Sequence, residues 1–517
     1  MPNIRILWVD DEIDLLKPHL IFLQQKGYDV DTSTSGAEAL EMISAEPYDI
    51  IFLDENMPGL SGIETLERIK NVQPSLPVVM ITKSEEEHIM EDAIGSNISD
   101  YLIKPVNPNQ ILLALKKNLE NRKLFREKTT SAYQQEFRQI GMELSGRLNL
   151  QEWMDIYRKL VYWELELDKS GDASMMDVLR MQKEEANNMF SRFVTQHYSD
   201  WVQGNGDRPV LSHTVLKEKV FPRLGSRPVF LLVVDNLRYD QWKTLQPLIE
   251  QDYRVQSDEM YFSILPTTTQ FARNALFAGL MPSEIQRKYP QWWVDEWEEG
   301  SKNQFEAELM EENLKRFGIK ARTSYHKILN LTAGRKMVES LPNLMQNDFN
   351  VIVYNFVDML SHARTEMEVI RELAEDEPAY RSITLSWFEH SPLRDIIQYL
   401  SSRDVTLLIT TDHGSVRVKD PVKVVGDRNT NTNLRYKTGR SLNYNAKEVV
   451  EFNRPDQVFL PRMNVSSNYI FCKSSDFFAY PNNYNHYVKY YRNTFQHGGI
   501  SLEEVLVPFI SLSPRQK

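Results

Sequence analysis

The sequence has very little cysteine: Cys472 is the only one among 517 residues. A single cysteine cannot form an intrachain disulfide, so the fold does not depend on an oxidising compartment. No apolar run approaches the ~20 residues of a membrane-spanning helix. The first run, Ile4–Val9, is too short for the apolar region of a signal peptide and leads directly into acidic residues. These absences predict a soluble, cytoplasmic protein.

Positive charge is also scarce. The chain has 60 Lys and Arg residues against 72 Asp and Glu residues, which gives a net charge of -12 and a pI of about 5.5. A broadly basic surface for nucleic-acid backbones is therefore not expected, although a local basic groove is compatible with this balance. No helix-turn-helix with a basic recognition helix follows the first predicted domain. The sequence thus argues against a sequence-specific DNA-binding regulator.

The length of the chain predicts more than one domain, because a single hydrophobic core rarely extends beyond roughly 250–300 residues. Residues 1–121 alternate nearly continuous apolar runs with amphipathic stretches. Such runs are typical of strands buried on both faces of a sheet, so the alternation predicts a doubly wound α/β domain. The runs are Ile4–Val9, Ile50–Leu53, Val78–Ile81 and Tyr101–Ile103.

Residues 122–205 contain no strand-like runs. Polar and charged residues are dense there, and apolar residues recur at helical spacing, as in Tyr133, Phe137, Ile140 and Leu144. This pattern predicts several helices that form a bundle or connector. The stretch Gly204–Pro209 is rich in turn-forming residues and marks its end.

Strand-like runs return in residues 206–517 and predict a second α/β domain. The runs are Val229–Val234, Val351–Phe356, Val405–Ile409 and Val505–Ile510. A carboxylate follows each of the first three runs closely. Because chemistry in open α/β sheets gathers beyond the carboxyl ends of the strands, these carboxylates are candidate functional residues.

Five side chains of the first domain follow predicted strands and are expected to share one cleft: Asp10, Asp11, Asp54, Thr82 and Lys104. Clustered carboxylates repel one another unless a cation lies among them, and Mg²⁺ prefers oxygen ligands of this kind. The three aspartates are therefore the predicted magnesium ligands. The metal, the ammonium group and the hydroxyl would stabilise a phosphoryl group transferred to Asp54.

These residues lie in segments that resemble the receiver domain of two-component response regulators: ILWVDDE, DIIFLDENMPGLSGIETL, VVMIT and DYLIKP. The resemblance covers the first predicted domain. It implies that Asp54 is the phospho-acceptor, that Thr82 and Lys104 are the switch hydroxyl and the phosphate-contacting lysine, and that Tyr101 is the switch aromatic residue. The Lys104–Pro105 peptide bond matches one that is often cis in this family.

The second α/β domain contains residues that suit a metal-dependent hydrolase. The candidates are Asp235, a threonine from the run Thr267–Thr269, Asp358 and His362, Asp412 and His413, and His497. Counting ligands assigns Asp235, Thr269, Asp412 and His413 to one metal, and Asp358, His362 and His497 to another. Mixed oxygen and nitrogen sets suit Zn²⁺ better than Mg²⁺ or Ca²⁺. Two ions ~4 Å apart would clamp the attacking and leaving oxygens of an in-line displacement, and one would lower the pKa of the threonine hydroxyl.

The segments around these candidates resemble the alkaline phosphatase superfamily: VVDNLRYD, PTTTQFARNALFAG, VDMLSH, TTDHGS and QHGGISLEEVLVPF. The last segment resembles the PglZ branch. In that superfamily the nucleophile precedes a glycine at the end of its helix by ten residues; Gly279 matches the glycine, which selects Thr269 and leaves Thr268 as the alternative. Residues 416–496 align with nothing, and their Tyr, Asn and Arg content fits either a surface that stacks bases and binds phosphates or a polar cap.

The order of receiver, helical connector and PglZ domain resembles the PorX-type response regulators, a family linked to type IX secretion. The receiver implies phosphorylation by a sensor histidine kinase and, because receivers often dimerise through the face that changes, a phosphorylation-dependent homodimer. The second domain is expected to be a zinc-dependent phosphodiesterase, and the aromatic and Arg content of residues 416–496 favours nucleotides or oligonucleotides as its substrates. Two alternatives stay open. One is a phosphomonoesterase, and the other is a docking platform for secretion-machinery proteins or a sigma factor, with little catalysis.

Overall fold

The computed structural model describes residues 4–73, 76–83, 98–296, 298–355, 357, 360, 376–427, 430–462 and 467–515. The chain divides into two compact units, Met1–Gln139 with Trp163–Leu179, and Ile140–Tyr162 with Arg180–Lys517. Among the described residues, no helix combines the length and the apolar character that a membrane span requires.

The first unit contains a parallel sheet of five strands in the order β2-β1-β3-β4-β5. The strands are β1 Arg5–Val9, β2 Asp29–Ser33, β3 Ile50–Asp54, β4 Val78–Thr82 and β5 Asp100–Ile103. All residues of β3 and β4 are buried, as expected for central strands covered on both faces. The predicted doubly wound α/β fold is confirmed. The sequence pattern misses β2, because this strand lies at the edge and has a single apolar residue, Val30.

Two hydrophobic clusters, one on each face of this sheet, hold its helices. The helices are α1 Lys17–Gln25, α2 Gly36–Ala45 and α3 Gly62–Val72. Helices α2 and α3 contribute Ile43 and Leu66 to one cluster, and α1 contributes Leu23 to the other. A capping box of Ser61 and Glu64 satisfies the first backbone N–H groups of α3.

Three long helices occupy the region predicted to be helical: α4 Pro108–Leu144, α5 Leu150–Ser170 and α6 Ala173–Gln203. Aromatic pairs hold them: the rings of Tyr133 and Trp163 have centroids 5.5 Å apart, and those of Trp153 and Phe190 are 5.3 Å apart. Helix α4 continues through residue 121, the predicted end of the first domain. The boundaries 1–121, 122–205 and 206–517 stay predictions.

The second unit is built around a six-stranded mixed sheet in the order β7-β19-β10-β6-β9-β8. The strands of the unit are β6 Val229–Val234, β7 Tyr253–Phe262, β8 Thr323–Ile328, β9 Phe349–Tyr354, β10 Thr406–Thr410, β11 Val416–Arg417, β12 Asp420–Val425, β13 Tyr436–Gly439, β14 Asn443–Tyr444, β15 Val450–Phe452, β16 Asn468–Phe471, β17 Asp476–Ala479, β18 Phe495–Gln496 and β19 Leu506–Pro514. Strands β10, β6 and β9 are parallel neighbours, so their carboxyl ends meet at one edge. The edge strands β7 and β8 mix polar with apolar residues, so no continuous apolar run marks them, and they were not predicted.

Helices connect and cover the strands of the second unit. They are α7 Tyr239–Ile249, α8 Asn274–Ala278, α9 Pro282–Lys288, α10 Glu306–Arg316, α11 Leu331–Leu344, α12 Glu377–Glu389, α13 Pro392–Ser401, α14 Tyr484–Tyr491 and α15 Leu502–Val505. A single π-helical turn, Thr269–Arg273, leads directly into α8. Gly279 ends α8 in the left-handed conformation, with φ of 58°, and an added Cβ there would lie 2.4 Å from the Asn313 side chain.

The described residues of 416–496, which follow β10 and precede β19 in the chain, form a small β-rich layer. Its strands pair as β11-β18, β14-β12-β17 and β13-β16-β15. Buried side chains of these strands, such as Val424, Ile470 and Phe478, form a hydrophobic cluster of their own. Helix α14 packs beside a second small cluster through Tyr484 and Val488.

Candidate functional site

The carboxyl edge of the first sheet brings together the residues predicted to receive a phosphoryl group. The Lys104 Nζ atom lies 2.9 Å from Asp10 Oδ2 and 2.9 Å from Asp54 Oδ1. One carboxylate oxygen from each of Asp10, Asp11 and Asp54 falls within 4.8 Å of the others. Three carboxylates outnumber the one ammonium group, and their oxygen-only donor set fits a hard cation such as Mg²⁺.

Burial and the neighbouring charges both shift the pKa values of Asp54 and Lys104. Burial raises the pKa of Asp54 despite the nearby ammonium group, and the charges of Asp10 and Asp11 raise it further. Burial lowers the pKa of Lys104, but its bonds to Asp54 and Asp10 outweigh burial and leave the pKa above its ordinary value. The lysine therefore stays charged and serves as a fixed cation beside the candidate phospho-acceptor.

The hydroxyl of Thr82 is engaged by a residue that the sequence did not single out. Thr82 Oγ1 donates to the carboxylate of Glu55, which is 8% exposed and directly follows Asp54. The ring of Tyr101 is 41% exposed. The Lys104–Pro105 peptide bond is cis, as the sequence suggested.

The second candidate site lies at the carboxyl edge of the six-stranded sheet. Asp235 directly follows β6, and Asp412 and His413 follow β10, the neighbouring strand. All three side chains are fully buried, and one ligand atom from each falls within 4.8 Å of the others. His413 Nε2 is 3.7 Å from Asp235 Oδ1 and 3.7 Å from Asp412 Oδ2.

The three consecutive threonines have different surroundings. The Thr269 hydroxyl lies 3.1 Å from His413 Nε2 and 3.4 Å from Asp235 Oδ1. Thr267 Oγ1 instead donates to the Gly499 carbonyl at 2.9 Å. Thr268 Oγ1 is buried and has no hydrogen-bond partner among the described residues. Of the three, Thr269 is the one whose hydroxyl reaches the carboxylates and the histidine.

His497 also belongs to this neighbourhood. Its ring stacks on that of His413 with centroids 4.3 Å apart, and its Nδ1 lies 3.3 Å from the Thr267 carbonyl oxygen. Asp358 and His362, the other predicted ligands of the second metal, lie outside the described residues. The structure therefore reports on five of the seven predicted ligands and brings those five together.

An arginine that the sequence reading missed lies inside the site. Arg273, four residues after Thr269, is 1% exposed, and its Nη1 lies 2.6 Å from Asp235 Oδ2 and 3.8 Å from Asp412 Oδ2. Its Nε donates to Glu306 Oε1 at 2.6 Å. The four-residue spacing could have placed Arg273 close to Thr269 on a helix. Its buried ion pair with Glu306 was not predictable, because the two residues are 33 positions apart in the sequence.

The two buried aspartates differ in their pKa. Burial and the neighbouring charge of Asp235 raise the pKa of Asp412 to about 8. Burial acts in the same direction on Asp235, but the charges of Arg273 and His413 outweigh it and lower the pKa of Asp235. Two adjacent carboxylates thus share one guanidinium group.

The donor chemistry of this site fits a divalent metal. Asp412 Oδ2 is buried and receives no hydrogen bond from any described residue. A buried carboxylate oxygen without a donor is costly unless a cation occupies the position that it faces. Carboxylate oxygens, one imidazole nitrogen and one hydroxyl form the mixed set that zinc accepts.

Three family models match the chain, and together they span most of its length. The receiver domain of response regulators matches residues 6–116, and the PorX response regulator linker domain matches residues 123–202. The BREX system PglZ alkaline phosphatase-like domain matches residues 215–512, which is more than half of the chain.

Curated relatives and solved structures match the first part of the chain. The alginate biosynthesis transcriptional regulatory protein AlgB of Pseudomonas putida is 36% identical over 120 residues, which are 23% of this chain and 27% of that protein. The response regulator SaeR of Staphylococcus epidermidis is 34% identical over 109 residues, 21% of this chain and 47% of that protein. The chain thus spans less than half the length of either relative. A CheY-like receiver domain from Methanospirillum hungatei is 28% identical and covers 23% of this chain and 95% of its own, with a TM-score of 0.23.

Proposed function

Because the chain belongs to the PglZ family of alkaline phosphatase-like proteins and carries a receiver and a PorX linker domain ahead of it, we propose that this response regulator has a zinc-dependent phosphodiesterase as its output domain. The observation that carries the proposal is the position of the Thr269 hydroxyl, 3.1 Å from His413 Nε2 and 3.4 Å from Asp235 Oδ1. A bound metal would lower the pKa of a hydroxyl that lies among buried metal-ligand side chains, and this would make the hydroxyl a nucleophile.

Thr269 is the proposed nucleophile. Its hydroxyl would give up its proton to solvent while the oxygen attacks the phosphorus in line with the leaving alkoxide, which departs and takes up a proton. The threonyl phosphodiester that forms still carries the second alcohol group, and water would then cleave its bond between phosphorus and the Thr269 oxygen. Asn303 fixes the attacking residue, since its Nδ2 donates to the Thr269 carbonyl at 3.0 Å. Thr267 holds the neighbouring His497 loop, because its Oγ1 also accepts a hydrogen bond from the Gly498 N–H at 3.0 Å.

Two zinc ions are proposed to bind here. The first set is Asp235, Thr269, Asp412 and His413, and the second is Asp358, His362 and His497. When bound, the metal lowers the pKa of the nucleophilic hydroxyl and stabilises charge on the transferring phosphoryl group. The unpartnered Asp412 Oδ2 and the 4.8 Å grouping of Asp235, Asp412 and His413 support the first set.

Nucleotides or oligonucleotides are the proposed substrates. The support comes from the layer formed by residues 416–496, where α14 carries aromatic rings in stacked pairs, such as Tyr487 and Tyr491 with centroids 6.0 Å apart. A lysine accompanies them: Lys423 Nζ lies 5.0 Å from the centroid of the Tyr484 ring. Proteins bind single-stranded nucleic acids through aromatic rings that stack on the bases and positive charges that contact the phosphates.

The receiver is proposed to control this activity. A sensor histidine kinase would supply the phosphoryl group to Asp54, with Mg²⁺ held by Asp10, Asp11 and Asp54, and with Thr82 and Lys104 as its contacts. Rotation of Tyr101 would change the surface on which a homodimer forms. The PorX linker match supports a link to type IX secretion, with a secretion-machinery protein or a sigma factor as a further partner.

Hydrolysis of bis-p-nitrophenyl phosphate tests the proposal. Turnover by the full chain is measured with and without added Zn²⁺, and with beryllofluoride as the acyl-phosphate mimic. We expect zinc-dependent turnover that Thr269→Ala lowers at least about a thousandfold, because a nucleophile is removed.

Thr268→Ala is the matched control, since this neighbouring threonine is the alternative nucleophile. It should retain turnover within about tenfold of the wild type, because a lost buried hydroxyl affects packing more than chemistry. Equal turnover by the wild type and Thr269→Ala would rule out the assigned nucleophile. No turnover under any condition would favour the docking platform over the hydrolase.

A further inference from the structure

The guanidinium group of Arg273 bridges the candidate metal ligands and a buried acid behind them. On one side Nη1 contacts Asp235 Oδ2 at 2.6 Å, and on the other Nε contacts Glu306 Oε1 at 2.6 Å. The Tyr325 hydroxyl donates to Glu306, and Lys327 Nζ lies 3.5 Å from Glu306 Oε2. The arginine is therefore fixed from behind and cannot swing away from the metal ligands without breaking this chain of contacts.

The charge balance explains why a fixed cation is present. Asp235 and Asp412 are both fully buried, and Arg273 is the guanidinium group that contacts them. Uncompensated buried charges are strongly destabilising, so the buried carboxylate of Asp235 needs a counter-ion of its own in the metal-free protein. Arg273 supplies it before any metal arrives.

The same contact limits how Asp235 can bind a metal. Its Oδ2 is held by Arg273 at 2.6 Å, while Oδ1 faces Thr269 at 3.4 Å and His413 at 3.7 Å. One oxygen is thus left for a metal, and the charge of the guanidinium group opposes that of an incoming divalent ion.

We propose that Arg273 is an internal counter-ion, a positioning residue that stabilises the metal-free site and restricts Asp235 to one-oxygen coordination. This inference rests on the proposed function, because it assumes that Asp235 and Asp412 bind zinc. The expected effects of removing Arg273 on protein stability and on zinc affinity have opposite directions. Removing Arg273 destabilises the metal-free protein but tightens zinc binding, whereas mere disruption of the fold would loosen the ligands and weaken binding.

The test is release of zinc from the full-length, zinc-loaded protein into an excess of a chromogenic chelator. Arg273→Met should release zinc at least about tenfold more slowly than the wild type, because a repelling charge is gone. Arg273→Lys retains the positive charge, although an ammonium group does not reproduce the contacts of the guanidinium group with both Asp235 and Glu306, and it should release zinc faster than Arg273→Met. Metal-free Arg273→Met should also melt lower, on the order of 10 °C. Because release starts from loaded protein, it remains measurable if the metal-free variant folds poorly.

Arg381→Met is the matched control. Arg381 is 3% exposed and pairs at 3.1 Å with Asp240, which is not one of the proposed zinc ligands. Its loss should not slow zinc release. Release from Arg273→Met that equals or exceeds the wild-type rate would overturn the inference, as would slow release from Arg273→Lys as well. A wild type that retains no zinc after gel filtration would instead overturn the proposed function, and the inference with it.

Discussion

The hydroxyl of Thr82, the proposed switch residue of the receiver, is held by a carboxylate next to Asp54, the proposed phospho-acceptor. Thr82 donates to Glu55, so it must leave this bond before it can contact a phosphoryl group on Asp54. A hydrogen bond to a charged group contributes about 1.5–3 kcal/mol, which disfavours the phosphorylated arrangement by a comparable amount. A second negative charge close to Asp54 disfavours an incoming phosphate in the same direction.

Glu55→Ala should therefore tighten the Mg²⁺-dependent binding of beryllofluoride by about tenfold. The change in intrinsic tryptophan fluorescence, to which Trp8 in the buried strand β1 contributes, reports binding. Glu55→Gln retains an oxygen that accepts the hydrogen bond from Thr82, so its affinity for beryllofluoride should lie between those of the wild type and Glu55→Ala. Weaker binding by Glu55→Ala would show that this carboxylate supports the phosphorylated state instead of opposing it.

Glu296 makes part of the stability of the second unit dependent on pH. It accepts hydrogen bonds from the Tyr436 hydroxyl and, at 3.2 Å, from Asn431. Burial raises the pKa of Glu296 to about 7. Because the folded state holds this proton more tightly than the unfolded state does, the group stabilises the fold at low pH, and stability falls as the pH rises from about 4.5 towards 7.

Glu296→Gln should remove that dependence, because an amide is neutral at every pH. The melting temperature of the variant should exceed that of the wild type at pH 8, and the difference should shrink at pH 5. Thermal unfolding at both values measures it, with the exposed Glu298→Gln of the same loop as the control. A difference that grows at low pH would contradict the assigned direction.

At the scale of secondary-structure elements, the second half of α6 contacts the loops that lead to Thr269 and to His497, two residues of the proposed zinc site. Asn187 accepts from the Leu502 N–H at 2.7 Å and donates to Glu503 at 3.1 Å, just beyond the His497 loop. Tyr198 accepts from the Leu265 N–H at 2.8 Å, just before the threonines. One helix of the PorX linker match thus fixes the approach of Thr269 and of His497.

Asn187→Ala should lower turnover more than a stability loss alone would. It leaves the buried Leu502 N–H without its acceptor, which costs about 1–3 kcal/mol, and it frees the segment that positions His497. We expect a drop of about tenfold in kcat on bis-p-nitrophenyl phosphate at a temperature where the protein stays folded. Gln196→Ala, on the exposed side of the same helix, is the control. An unchanged kcat would make α6 a structural support only.

The sequence predicts elements well where burial makes them periodic or continuous. Strands β3, β4 and β6 are buried at every residue, and each appears as an apolar run. Strand β2 is largely polar, so no such run marks it. The same contrast holds for the sites. Asp235 and Asp412 follow apolar strands and were predictable, whereas Arg273 depends on a partner distant in sequence, and such pairs leave no local pattern.

At the scale of the whole molecule, zinc and beryllofluoride should each stabilise a different unit of the chain. The proposed zinc ligands that the structure describes lie in the second unit, and Asp54 lies in the first. A ligand that binds only the folded state stabilises it, by about 2.7 kcal/mol at a concentration one hundred times its Kd. Zinc should therefore stabilise the second unit, and Mg²⁺ with beryllofluoride the first.

Differential scanning calorimetry of the full chain should separate these effects. Zinc should raise one transition by about 4 °C, and Asp412→Asn should abolish that shift while preserving the response to beryllofluoride. Asp54→Asn should give the reverse pattern. If both ligands raise a single common transition equally, the two units unfold as one cooperative body. Phosphorylation and metal binding are then coupled, because each ligand stabilises the fold on which binding of the other depends.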